Sequence, residues 1–302
     1  MRTPIVNRAL IDVIDNYVAT LGGVSEIDAE ELALAGTPFS GGAFSDVYDA
    51  KWHDQNVAVK ALHHHIMTTI DNTDIRQLQL DVNLIIGLHH HPNIIQLFGT
   101  TWLSGNRLGI VMEKAENGSL EKCLMSLELD KAARIALGIV EGLQYMHSKK
   151  VAHRHLKPQN ILLFGPQLTP KIAHFGVVSQ MITAVVSHWI NSVQFLQIPE
   201  TKYMAPELMV PGLRYVCMSD IYNLAIILFE MFSGQPAEKD LGSNAYEFMR
   251  ACVHGKRPIL PDKFPSCLRK PVEQGWVEDP TKRTSLAEFR AALRTIVNDS
   301  IL

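Results

Sequence analysis

Apolar positions early in the chain, Ile5, Leu10, Val13, Ile14, Val18 and Leu21, recur at mixed helical spacing and stop at Gly22-Gly23. That pattern predicts a short helical extension over residues 1–36. From Phe39 to Val59 the pattern turns to that of strands. A glycine-containing turn precedes Phe44, Val47, Tyr48 and Ala50, and Val57-Ala58-Val59-Lys60 follows, as in successive paired strands. Ile75, Leu78, Val82 and Ile85 return to three- and four-residue steps, which predicts a helix from Asp71 to Leu88, closed by Gly87 and His91-Pro92-Asn93. Further strands are expected over Ile94–Phe98 and Leu108–Met112. Past Glu113-Lys114-Ala115, which reads as a hinge, the chain turns helical. Ile135, Ile139, Leu143 and Met146 form one apolar stripe, and Leu224 to Phe232 reads as a buried helix. The expected class is α+β: a small β-rich lobe with one helix over 37–114, then a larger α-helical lobe over 115–300.

Composition excludes several kinds of function. A 302-residue chain that is 47% hydrophobic and 20% charged can bury a large core. Its net charge of -3, with lysines and arginines scattered along the chain, offers no basic field, so nucleic acid is not an expected partner. No apolar run reaches the roughly 18–20 residues that cross a bilayer. Cys123, Cys217, Cys252 and Cys267 lack metal-ribbon spacing, and the N-terminus lacks a secretory pattern, so a reduced cytoplasmic compartment is expected. The histidine runs at 63–65 and 89–91 read as solvated turns.

Chemistry is concentrated in ordered motifs. Ser40-Gly41-Gly42-Ala43-Phe44-Ser45-Asp46-Val47 is a glycine-bearing turn ahead of Val57-Ala58-Val59-Lys60. His153-Arg154-His155-Leu156-Lys157-Pro158-Gln159-Asn160 precedes His174-Phe175-Gly176, and Ala205-Pro206-Glu207, Ser219-Asp220-Ile221-Tyr222 and Arg283 follow. From Phe39 to about Ile296 this order resembles the protein kinase family, and the resemblance implies its two-lobed fold. Trp276 and Asn117-Gly118-Ser119-Leu120 resemble the tyrosine-kinase-like group, whose active members mainly phosphorylate Ser and Thr.

The resemblance also implies roles. Ser40, Gly41 and Gly42 would cover the nucleotide phosphates, with Ser40 and Ser45 standing where the family has glycine. Lys60 would contact those phosphates, with Asp81 at or beside the place of its usual Glu partner. Val47, Ala58 and Leu162 would sandwich adenine, Met112 would form the back wall, and Glu113 and Ala115 would line the hinge. Lys157 would reach the terminal phosphate and Asn160 would hold a metal. Asp220 would support the catalytic loop, and Glu207 would pair with Arg283.

Two positions depart from the pattern. His155 replaces the Asp that accepts the substrate proton, and His174 replaces the Asp that holds Mg²⁺. A neutral imidazole lacks the fixed charge of a carboxylate, and losing a positioned base costs about 10²–10⁴ in rate. Mg²⁺ takes hard oxygen ligands, whereas imidazole suits softer metals. ATP binding is therefore compatible with the chain, while both Mg²⁺ and Mn²⁺ chemistry are in doubt. The segment from His174 to Glu207 is also apolar, with Met181, Ile182, Val185, Val186, Trp189, Ile190, Val193, Phe195 and Leu196. Such a patch is either folded onto its own lobe or a partner surface. The expectation is a pseudokinase acting through protein partners, an active kinase among them. The alternative is a slow Ser/Thr kinase with His155 as base and Mn²⁺ held by Asn160 and His174.

Overall fold

The structure, a computed structural model, describes residues 26–42, 44–68, 75, 82, 86–88, 91–173, 201–209, 217–242 and 244–299. They fall into two compact units, one of residues 26–88 with 95–114 and one of 91–94 with 115–299.

The smaller unit is an antiparallel sheet of β1 (Leu32–Leu34), β2 (Ser40–Gly41), β3 (Ser45–Trp52), β4 (Gln55–Leu62), β5 (Leu97–Leu103) and β6 (Arg107–Glu113). The strand order is β1-β3-β4-β6-β5, with β2 also on β3, and a short helix, α1 (His64–Met67), follows β4. Two-residue alternation sorts β3 and β4 into two faces. Tyr48, Ala50, Val57, Val59 and Ala61 turn to one side and make a core with Ile27, Leu32, Leu103 and Val111. The β5–β6 turn is closed by Gly105 and Asn106, both at positive φ, the region that glycine and asparagine tolerate best.

Two expectations are corrected here. Residues 26–34 are not helical in the expected manner: Glu26 bridges Thr100, Ala29–Glu31 make one 3-10 turn, and Leu32–Leu34 pair with Ala50–Trp52. Leu32 is buried and Ala33 exposed, a period of two that satisfies the open edge of β3. Residues 1–25 lie outside the described residues. The strand expected over Ile94–Phe98 begins instead at Leu97, because Ile94 belongs to the larger unit, where it bridges Ile172. Of the helix expected over 71–88, Ile75, Val82 and Ile86 to Leu88 are described: Ile75, Val82 and Ile86 are helical, Gly87 and Leu88 form a turn, and Val82 and Leu88 are buried.

The larger unit contains α2 (Leu129–Ser148), β7 (Ile161–Phe164), β8 (Thr169–Ile172), α3 (Cys217–Ser233), α4 (Ala245–Val253), α5 (Ser266–Gly275) and α6 (Leu286–Asp299). The stripe Ile135, Ile139, Leu143 and Met146 is buried as expected, with α2 lying against α6 and β8. Gly138 and Gly142 interrupt that helix where it is closest to its neighbours. A Cβ on Gly142 would stand 2.9 Å from the Asn93 carbonyl oxygen, and one on Gly138 would stand 2.7 Å from Pro170. Helix α3 is sunk in the core, with residues 219–231 all buried. It supplies the anchor for the catalytic loop.

Candidate active site

In the smaller unit, register decides which side chains share a face. Val47 pairs with Lys60, Lys60 with Ile110, and Ala58 with Met112. Because the odd-numbered residues of β4 face the core, Val47, Ala58, Lys60 and Met112 are gathered on the opposite face. Ser40 and Gly41 sit across β3 from Val47 and Asp46, and the turn is closed by Gly42 N–H donating to the Ser45 carbonyl at 3.0 Å. A Cβ on Gly41 would lie 2.6 Å from Asp46 Oδ1, so a larger residue there would oblige the Asp46 side chain to move. Asp46 is in turn held by His63 Nε2 at 3.1 Å, so His63 is not a merely solvated turn residue. Glu113 accepts the Gln96 N–H on its carboxylate at 2.7 Å, while its own N–H donates to the Gln96 carbonyl. Asp81 lies outside the described residues.

In the larger unit, the catalytic loop is shaped by one carboxylate. Asp220, fully buried on α3, accepts the His153 N–H on Oδ2 at 2.8 Å and the Arg154 N–H on Oδ1 at 2.9 Å. His147, in the last turn of α2, contacts the same Oδ2 through Nε2 at 2.8 Å. These bonds hold Arg154 at φ +69, a conformation that costs a non-glycine residue energy and needs such support. His153 is sealed from solvent, and burial lowers its pKa to about 4. The neutral ring accepts the His155 N–H on Nδ1 at 3.2 Å, leaving Nε2 to donate to the Ala173 carbonyl at 2.9 Å.

Asn160 closes the loop. Its N–H donates to the Lys157 carbonyl, its side-chain Nδ2 donates to the His155 carbonyl at 2.7 Å, and Nδ2 also lies 3.4 Å from His155 Nδ1. Asn160 and Lys157 are buried and His155 is half-buried. The Asn160 carbonyl accepts from Ala173 N–H, tying the loop to the strand that ends just before His174. Leu162 is half-buried on β7 and bridges Ser119, and Ala115 is half-buried at the start of this unit. His174 and the apolar segment 181–196 lie outside the described residues.

Below the loop, Glu207 and Arg283 form a bidentate pair with both bonds at 2.7 Å, and Ser219 Oγ donates to the same carboxylate. Burial pushes the Glu207 carboxyl up, but the Arg283 guanidinium outweighs it and holds the group below the usual carboxylate range. Arg283 and Arg257 lie near the Tyr222 ring, 5.2 and 5.4 Å from its centroid. Trp276 is buried against Phe229.

Sequence reasoning missed three participants. His147 completes the Asp220 cluster; its only signal is a polar residue closing an otherwise apolar stripe. Tyr203 donates to buried Glu230 at 2.7 Å, and Glu230 also accepts the Ala237 N–H. Burial, followed by Glu230, drives the Tyr203 hydroxyl far above its ordinary pKa. His91 stacks on Tyr145 at 4.9 Å and caps Asn93 N–H, where a solvated turn was expected.

The residues present fit an adenine nucleotide, since an apolar strand face carrying a lysine suits a ring and its phosphates. Toward Mg²⁺ the family's manner of binding is broken at one position: the Asn160 amide, with Nδ2 given to the His155 carbonyl, has an oxygen of the kind Mg²⁺ takes, whereas the other expected ligand is an imidazole in the sequence. Among the described residues, no group of three or more His, Cys, Asp or Glu could hold a metal, and no helix is long and apolar enough to cross a membrane.

A six-strand antiparallel sheet with a glycine turn and strand lysine, together with a helical unit whose buried Asp shapes a His-Arg-His loop, defines the class as protein kinase domains. The chain belongs to the protein tyrosine and serine/threonine kinase family, whose sequence model matches residues 35–293. It is 31% identical over 273 residues to mitogen-activated protein kinase kinase kinase 7 of Homo sapiens, covering 87% of this chain and 41% of that protein. It is 29% identical over 281 residues to the serine/threonine-protein kinase VIK of Arabidopsis thaliana, covering 90% and 62%. It is also 27% identical over 288 residues to the dual specificity protein kinase shkB of Dictyostelium discoideum, covering 92% and 42%. These relatives agree with the tyrosine-kinase-like grouping. The chain spans less than half the length of the first and last of them.

Proposed function

We propose that this chain is a pseudokinase, a kinase fold that holds an adenine nucleotide without ordinary phosphoryl transfer and acts by binding protein partners, an active kinase among them, in the cytoplasm. The observation that carries this reading is the contrast inside the larger unit. The structural supports are intact, with Asp220 bonded to the loop and Glu207 to Arg283, while the base position holds an imidazole whose Nδ1 faces the Asn160 amide. A base must have a lone pair to offer the hydroxyl proton. Nucleotide holding is supported by the shared strand face of Val47, Ala58, Lys60 and Met112. Partner binding is supported by the apolar composition of residues 181–196, and a reducing compartment by four cysteines that are all unpaired.

The test is a thermal-shift titration with ATP in EDTA, Mg²⁺ and Mn²⁺, run on the wild type and on Lys60→Met, beside a radiolabelled phosphotransfer assay. A ligand that binds the folded state raises the melting temperature by mass action. The expected result is stabilisation of the wild type by ATP, loss of that shift in Lys60→Met, and no transfer above background with either metal. Transfer that disappears in Lys60→Met would establish the slow kinase instead.

A further inference from the structure

His91 opens the segment His91-Pro92-Asn93-Ile94, which belongs to the larger unit although residues 26–88 before it and 95–114 after it belong to the smaller. All of its fastenings lie within the larger unit. The His91 ring stacks on Tyr145 of α2, with centroids 4.9 Å apart and 22° between the planes. Its Nδ1 accepts the Asn93 N–H at 3.2 Å. Asn93, itself buried, passes the hold on to β8: Nδ2 donates to the Pro170 carbonyl at 2.9 Å, and the Asn93 carbonyl accepts the Ile172 N–H at 2.9 Å. One ring therefore ties the start of the segment to a helix and orients the residue that ties its end to a strand.

Accepting the Asn93 N–H requires a lone pair on Nδ1, so the ring must be neutral with its hydrogen on Nε2. A second proton has only Nδ1 to go to, where it would face the Asn93 N–H hydrogen to hydrogen. The surroundings give that proton little help. Glu141 on α2 favours a charged ring, but its carboxylate is already engaged from α6 by Arg290 at 3.1 Å and Arg294 at 3.7 Å. Lys149, just past the end of α2, stands 5.7 Å from the centre of the Tyr145 ring, and Lys171 of β8 lies over Phe164 at 4.7 Å. Burial prevails over Glu141 and lowers the His91 pKa. We propose that His91 is an acid-released clasp: its neutral ring fastens the 91–94 segment to α2 and β8, and a proton on Nδ1 unfastens it. Histidine is the side chain suited to such a device near neutral pH. The sign follows from the lowered pKa: the fastening is complete above the ordinary imidazole range and weakens as pH falls through it, because the opened segment takes up a proton that the fastened one refuses.

Amide hydrogen exchange on the full chain tests this, read as protection factors for Asn93 and Ile172 at about pH 7.5 and about pH 5.5, so that the intrinsic pH dependence of exchange is removed. In the wild type both are expected to lose at least about threefold in protection at the lower pH, with an ordinary imidazole in the opened segment setting a ceiling of about tenfold. His91→Asn places an amide oxygen where Nδ1 stands and accepts at every pH, so its protection should hold at both values. His91→Ala has no acceptor and should be poorly protected at both. His153 titrates alike in wild type and variants, so its share cancels in the comparison. A smaller loss in the wild type, an equal loss in His91→Asn, or full protection in His91→Ala overturns the clasp. A second reading needs no variant: nitrogen-15 NMR of the wild type should show the His91 ring with a bare Nδ1 and a protonated Nε2 at about pH 8, and the Asn93 amide shift should titrate with that ring. The opposite tautomer, or an Asn93 amide that stays still while the ring titrates, overturns the proposal as well.

Discussion

His153 has no contact with solvent, and its proton balance leaves a mark on stability. Burial lowers its pKa from 6.5 to about 4, with Asp220 and the Ala173 carbonyl opposing the shift. Above about pH 6.5 the ring is neutral whether the chain is folded or not, and its contribution is fully present. As pH falls from there toward 4, the unfolded chain takes up a proton that the folded chain refuses, so stability drops and then levels off. Between pH 7 and pH 5 the expected loss is about 2 kcal/mol, and His153→Phe should remove that part of the slope in urea unfolding at the two pH values. His91 is also lowered by burial, so the comparison of variant with wild type isolates His153. At this scale the loop was readable because its residues are contiguous: His153, Arg154, Lys157 and Asn160 announce themselves as a motif. The partnership of His147 with Asp220 was not, because 73 residues separate them and neither carries a local signal of the other.

Between elements, the close approach of α2 to the 93–94 segment and β8 sets a prediction with two opposing terms. Replacing glycine by alanine inside a helix ordinarily gains up to about 1 kcal/mol of propensity. At Gly142 the new methyl would meet the Asn93 carbonyl oxygen and Ile172 Cδ1, each 2.9 Å away, and a backbone atom cannot step aside as a side chain can. Overpacking costs typically about 1–3 kcal/mol, so Gly142→Ala should lower stability by about 1 kcal/mol net in denaturant melts. Gly138→Val, facing Asn93 and Pro170 at 2.7 Å, should lower it further. The helices were legible because their stripes are long; the stripe on α2 alone extends across Ile135, Ile139, Leu143 and Met146. The three-residue β1 was not, because three residues are too few to establish a period, and the open edge of β3 is what draws them into a strand. The start of β5 was misplaced for a related reason: apolar Ile94-Ile95 reads as strand, yet its two residues are divided between two bodies.

For the molecule as a whole, Glu207 and Arg283 join segments 76 residues apart through a pair from which water is almost excluded. Breaking such a pair on one side leaves the other charge buried and uncompensated, at a cost of about 3–5 kcal/mol. Arg283→Met should therefore cost that much in chemical denaturation, and Glu207→Gln somewhat less, since its amide still accepts from one guanidinium nitrogen. The Glu207 carboxyl is held low by Arg283, so its share of stability is present near neutrality and is lost as the medium becomes acidic enough to protonate it. The two-unit organisation and family were readable from a series of ordered motifs, whereas the positions of Asp81 and His174 stay at the level of sequence.

Asp220 has a consequence that reaches beyond this chain's own chemistry. The bonds that bend the loop end on backbone N–H groups of His153 and Arg154, groups that every amino acid except proline possesses. The side chain at position 155 takes no part in them. Shape and reactivity are thus encoded at separate addresses, and the loop behaves as a socket whose fitting can be exchanged while the mounting stays in place. A lineage can lose a base at position 155, or regain one, by a single codon, without first having to refold the loop that holds it.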